Sequence, residues 1–190
     1  MTMETPLGTQ AQWLNPKHVQ LPPDLRDWLT DAGSLTAKLK ALHADFRVQV
    51  LCQRQGFADD HEYRQLGLEK QPVTLREVLL YCNDQPWVFA RSILPHEQLQ
   101  QSAEITHLGN NPLGEHLFQR QDITPGQIEV ASFAPDSKVG CLNHTLHGKH
   151  QTLWGRRRCF HLPETAILVA EVFLSPTPCY AYNPTMGGDA

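Results

Sequence analysis

Three charged side chains fall where a folded chain would be expected to place only apolar ones. Residues 73–82, 86–94 and 165–174 read as strands, along which successive side chains alternate between two faces. Arg76 shares a face with Val78, Leu80 and Cys82; Arg91 with Trp87, Phe89 and Ile93; Glu171 with Ile167, Val169 and Phe173. A buried charge is costly unless it is paired and hydrogen-bonded, so each of the three must meet a partner. If Asn83-Asp84 is a two-residue turn, Cys82 pairs with Gln85 and the register sets Arg76 directly opposite Arg91. Like charges facing each other across a strand pair are destabilising. Two arginines held side by side suit an anion, and the planar guanidinium suits both oxygens of a carboxylate. Glu171 can balance one arginine and still face a ligand hydroxyl. On the residues alone two readings stand level. One is a ligand site; the other is an internal Arg–Glu ion pair with one arginine turned to solvent.

These side chains need a sheet to hold them. Strands are expected at 46–54, 73–82, 86–94, 127–133, 157–162 and 165–174. Pro22-Pro23-Asp24 opens a helix carrying Leu25, Trp28 and Leu29, and Gly33 ends it. Ser34 caps a second helix with Leu35, Leu39 and Leu42 on one side. Residues 97–107 and 113–119 also read as helices, with Gly109-Asn110-Asn111-Pro112 as the turn between them. The strands do not alternate strictly with helices, which favours a single antiparallel α+β domain. Residues 1–20 read as a loosely tied arm, residues 134–152 as an exposed polar loop, and residues 183–190 as a tail.

The composition sets outer limits. The chain has 190 residues, 41% hydrophobic and 19% charged, enough for one ordinary globular core. A formal charge of −4 gives no reason to expect a nucleic-acid partner. No stretch has the length and hydropathy of a membrane span, and no signal peptide is legible. Five cysteines without a CxxC pair suggest a reducing, cytoplasmic setting with no disulfides.

Several blocks, in order, resemble the chorismate lyases of ubiquinone-making bacteria. They are Leu75-Arg76-Glu77-Val78-Leu79-Leu80, then Pro86-Trp87 and Arg91. Next come Leu108-Gly109-Asn110-Asn111-Pro112-Leu113-Gly114 with Leu117-Phe118, and Leu153-Trp154-Gly155-Arg156-Arg157. The last is Glu171-Val172-Phe173-Leu174 with Ser175-Pro176. The resemblance covers most of residues 22–180 and implies a family-like domain over 21–182, with 134–152 as an inserted loop. It implies a six-stranded antiparallel sheet whose helices form flaps over a closed ligand pocket. It implies cofactor-free conversion of chorismate to 4-hydroxybenzoate and pyruvate, with no metal; separately, a monomer is expected. By the same resemblance Arg76 binds the ring carboxylate and Glu171 meets the hydroxyl at the opposite end. Backbone amides of Leu35 and Leu113 complete the pocket, and Arg91 receives the enolpyruvyl carboxylate. Where the family has glycine before the second arginine, this chain has Ala90.

Other patterns are weighed against this. Cys141, His144, His147 and His150 recur every three residues, a spacing open to zinc, although an exposed polar loop is the simpler reading. Arg156-Arg157-Arg158 reads as one or two solvated charges and one structural pair. Trp28, Trp87 and Trp154 read as core and flap packing, and Asp24 and Asp27 as charges at a helix N-terminus. Two non-catalytic alternatives keep the pocket without turnover. One is a small-carboxylate sensor of the kind found as effector domains of transcription regulators; the other is a degenerate relative that binds chorismate-like aromatics.

Overall fold

A computed structural model describes residues 4–43, 45–95, 109–163 and 165–181. Six strands build one antiparallel sheet: β1 (Phe46–Gly56), β2 (Val73–Cys82), β3 (Gln85–Pro95), β4 (Thr124–Phe133), β5 (Leu153–His161) and β6 (Ala166–Phe173). Their spatial order is β1-β2-β3-β6-β5-β4, so β6 lies between the two meanders at the centre of the sheet. The front face is covered by α1 (Pro23–Leu29), α2 (Leu35–Leu42) and α4 (Leu113–Gln119). Leu25, Leu29, Leu35 and Leu39 pack there on Val78, Leu80, Val88 and Phe173. The back face carries α3 (Asp60–Leu66), α5 (Lys138–His147) and the N-terminal arm. The helix expected over 97–107 lies outside the described residues.

The two-residue turn is present. Asn83 and Asp84 take φ of 49° and 59°, the left-handed pair that a tight hairpin of matching twist requires. Cys82 faces Gln85 and Tyr81 faces Pro86, but Leu80 faces Val88, so Trp87 is a bulged extra residue. Beyond that bulge the register is displaced by one. Arg76 stands opposite Ser92, and Arg91 stands opposite Glu77. This corrects the expectation that Arg76 and Arg91 face each other. A slip of one residue moves a side chain to the other face, and the bulge is what moves Arg91.

Two further expectations change. The arm is not loosely tied: Leu7 and Thr9 are buried, Leu14 bridges Val130, and Trp13 packs edge-on against Phe133. Nor is 134–152 an open loop, because most of it is α5. Ser137 caps α5 by accepting from the Gly140 N–H, and Gly148 ends it with φ of 65°. Val139 and Leu142, three apart, turn one side of the helix into the back core. Asn143 is fully buried; its carbonyl accepts from the Ser175 N–H and hydroxyl. Leu42, placed by its spacing on the packed side of α2, is instead half exposed.

Candidate active site

Strand register lines up the front-face side chains in two adjacent rows across the sheet. One row runs Arg76, Ser92, Val169, Arg158; the next runs Val78, Ala90, Glu171, Arg156. A narrow cavity lies over these rows, roofed by Thr36 of α2 and by Pro112, Leu113 and Gly114 at the start of α4. Gly114, Val169 and Glu171 also line a second limb, together with Gly33, Leu35, Phe118, Arg156 and Arg158. The flaps meet through Gly114, whose position for a Cβ lies 3.4 Å from the Thr36 hydroxyl, and through a Lys40–Glu115 ion pair at 2.7 Å.

Arg76 is 3% exposed and donates to Gln53 Oε1 at 2.6 Å and to the Asn111 carbonyl at 3.1 Å. Among the described residues no carboxylate lies within ion-pair distance of it. Burial without a counter-charge pulls its pKa below the ordinary arginine value. A cation held this way, at the wall of a cavity, is arranged to receive an anion. Glu171 gives one oxygen to Arg156 Nε at 2.7 Å, which leaves the other for a ligand. The Leu35 and Leu113 amides belong to the first residues of α2 and α4, so neither has a partner within its own helix. Arg76, Glu171 and Leu113 therefore border one cavity, and Leu35 borders the limb that shares Glu171 with it. The set suits a small aromatic-sized acid with a hydroxyl at the far end. The Ala90 methyl lines the cavity floor between Val78 and Glu171.

Arg91 is not in this cavity. On the back face its Nε and Nη2 donate to both oxygens of Glu62, at 2.7 and 2.9 Å, and its Nη1 donates to Glu77 at 2.9 Å. Glu77 also accepts from the backbone N–H groups of Leu7 and Gly8, at 2.8 and 2.9 Å. Burial pushes the Glu62 carboxyl up, but hydrogen bonds and charge from Arg91 outweigh it and hold the group below its ordinary value. The ion-pair reading therefore holds for Arg91, with Glu62 and Glu77 as partners in place of Glu171.

Arg156 was missed as a site residue. It is buried, and besides Glu171 it donates to the carbonyls of Trp28 and Asp31, at 3.2 and 2.6 Å, where α1 leads into α2. Arg157, on the opposite face, pairs with Glu129 at 2.8 Å. The signal available was alternation: residues 156 and 158 share a face, and pairing β5 with β6 puts 156 beside 171.

The candidate metal patterns do not fit a metal. The Cys141 thiol points to the Asp136 carbonyl and the His147 ring to the Pro86 carbonyl, which takes His147 away from the His144 and His150 rings, themselves edge-on at 5.8 Å between centroids. Asp59, His61 and Glu62 offer ligand atoms within 4.8 Å of one another. Both oxygens of Glu62, however, are already taken by Arg91, and Arg157 abuts the His61 ring. All five cysteines are free, and burial raises the Cys82 and Cys159 thiols to about 11.

The family model described as chorismate lyase matches residues 7–182. A probable chorismate pyruvate-lyase of Idiomarina loihiensis is 42% identical over 177 residues, covering 93% of this chain and 91% of its own. One from a Shewanella species (strain W3-18-1) is 41% identical, covering 91% and 93%. Among solved structures, the effector domain of PhnF from Mycobacterium smegmatis superposes with a TM-score of 0.57 at 16% identity, over 76% of this chain and 90% of that one. The ligand-binding domain of a putative GntR-family regulator from Bordetella bronchiseptica gives 0.54 at 17%, over 70% and 85%. These two share the fold.

Proposed function

Because this chain belongs to the chorismate lyase family, we propose that it converts chorismate to 4-hydroxybenzoate and pyruvate, as supply for the ubiquinone ring, in the cytoplasm. The observation that carries the site assignment is Arg76, buried at one end of the cavity without a carboxylate partner among the described residues, with Glu171 at the other. Arg76 takes the ring carboxylate, Glu171 the 4-hydroxyl, and the Leu35 and Leu113 amides hold the substrate from the two flaps. Arg91, behind the sheet, has no substrate contact in this reading.

Chorismate is a dianion with a non-aromatic ring. The C3–O bond breaks and its electron pair leaves with the enolpyruvyl oxygen. The C4 proton is lost, and the new C3–C4 double bond makes the ring aromatic. The departing enolate then takes a proton at its methylene carbon to become pyruvate. The driving force lies in the substrate, so the protein's work is orientation and stabilisation of developing charge, with no need of a cofactor. Glu171, held in place by Arg156, is the group nearest the proton to be lost and acts as its acceptor.

Purified protein mixed with chorismate, without added metal, is expected to yield the two products in equal amounts. Arg76→Ala and Glu171→Ala are each expected to lower kcat/KM by roughly 100-fold or more. Full turnover in Glu171→Gln would remove the proton-acceptor role. Saturable 4-hydroxybenzoate binding without turnover would favour the sensor reading, for which the likeness to effector domains provides a fold-level precedent.

A further inference from the structure

With Arg91 behind the sheet, a dianionic substrate lacks its second cation, and the front face supplies another. Arg158 stands in the same row as Arg76, three strands along the sheet on β5, with β3 and β6 between them. At about 4.8 Å per strand the two Cα atoms are ~14 Å apart. That span between the two backbones leaves room for a ring and its side chain. Arg158 donates from Nε to the Gly126 carbonyl at 2.7 Å and from Nη1 to the Ala32 carbonyl at 3.0 Å. Among the described residues it too has no carboxylate within ion-pair distance. Its neighbour Arg156 is tied to Glu171.

The charge balance around the two limbs points the same way. Arg76, Arg156 and Arg158 face one carboxylate, Glu171, while Asp31 is matched by Lys38 at 2.9 Å and Arg157 by Glu129. Among the described residues two positive charges are left over, matching a dianion. Substrate geometry fixes which limb takes which group. The enolpyruvyl ether sits on the carbon next to the one bearing the hydroxyl. With the hydroxyl at Glu171, the side chain must leave the ring beside Glu171, where the second limb opens.

We propose that the limb beyond Glu171 is the subsite for the enolpyruvyl carboxylate, with Arg158 as its principal cation and Arg156 beside it. This rests on the placement of the ring between Arg76 and Glu171. The same arginines receive the negative charge that develops on the enolpyruvyl group as the C3–O bond breaks.

The product lacks the enolpyruvyl group, and this gives the test. KM and kcat for chorismate, and the Kd of 4-hydroxybenzoate by tryptophan fluorescence, are measured for the wild type, Arg158→Gln, Arg158→Lys and Arg76→Ala. Arg158→Gln is expected to raise KM for chorismate by about 10–100-fold, the value of a charge-assisted hydrogen bond, and to lower kcat. Its Kd for 4-hydroxybenzoate is expected to stay within about twofold, and Arg158→Lys to restore part of the KM. An unchanged chorismate KM in Arg158→Gln, or a parallel loss of product binding, overturns the subsite. If Arg158→Gln does not fold, Arg158→Lys decides. It retains charge but loses the fork, so kinetics and product binding both identical to wild type would overturn the subsite. If Arg76→Ala leaves 4-hydroxybenzoate affinity unchanged, the underlying ring placement fails, and the subsite with it.

Discussion

At the scale of single residues, two buried arginines on neighbouring strands have opposite fates. Arg76 keeps backbone and amide partners and remains electrostatically unmatched among the described residues; Arg91 is closed off by Glu62 and Glu77. Removing one member of a buried ion pair costs roughly 3–5 kcal/mol, because the partners stay buried and charged. Arg91→Met is therefore expected to lose about that much stability in urea unfolding, whereas Arg76→Met, removing an unpaired buried cation, is expected to lose far less or to gain. Glu62 adds a pH dependence. Its pKa is 4.5 when unfolded and lower when folded, so its contribution is complete above 4.5 and is lost as pH falls through the folded value. The melting temperature is expected to drop on acidification below that point, and to drop less in Glu62→Gln. The sequence exposed Arg76 and Glu171 as charges on apolar rows, and the structure puts both on one cavity. It disguised Arg91, whose neighbours Phe89 and Ile93 are equally apolar but belong to the other face. Glu62 was invisible because α3 joins it to Arg91 only in three dimensions.

At the scale of elements, local chemistry was legible where a side chain or a turn dictates the backbone. Ser34 caps α2 as its type and position suggest, and the paired positive φ values of Asn83 and Asp84 close the hairpin. α5 was misjudged because only Val139 and Leu142 mark its buried side amid polar residues, and tertiary contact supplies the rest. Its first-turn approach is tight. A Cβ on Gly140 would lie 2.4 Å from the carbonyl oxygens of Ala134 and Pro135, both backbone atoms. Gly to Ala inside a helix ordinarily stabilises by up to about 1 kcal/mol. Here Gly140→Ala is expected to destabilise by roughly 1–3 kcal/mol, the range for overpacking, and thermal unfolding against wild type checks the sign.

At the scale of the whole molecule, the sheet divides two tasks between its faces. The front carries the flaps and the ligand cavity, and the back carries the arm, α3, α5 and the paired charges that brace the sheet. The Arg156 contacts to Trp28 and Asp31 hold the first flap down from beneath. A product gripped by both flaps leaves only when one lifts, so release is expected to limit turnover. Rapid mixing with excess chorismate should then show a burst of pyruvate close to one per active site, and a linear trace from zero time would show that chemistry is limiting. The division of faces traces back to the bulge at Trp87. A deletion of one residue between Pro86 and Val88, harmless in a surface loop, would here reverse β3 like a turned card. Arg91 would come to the front beside Arg76, while Glu62 and Glu77 would be left facing each other behind. The hairpin's length is thus part of the molecule's charge arithmetic.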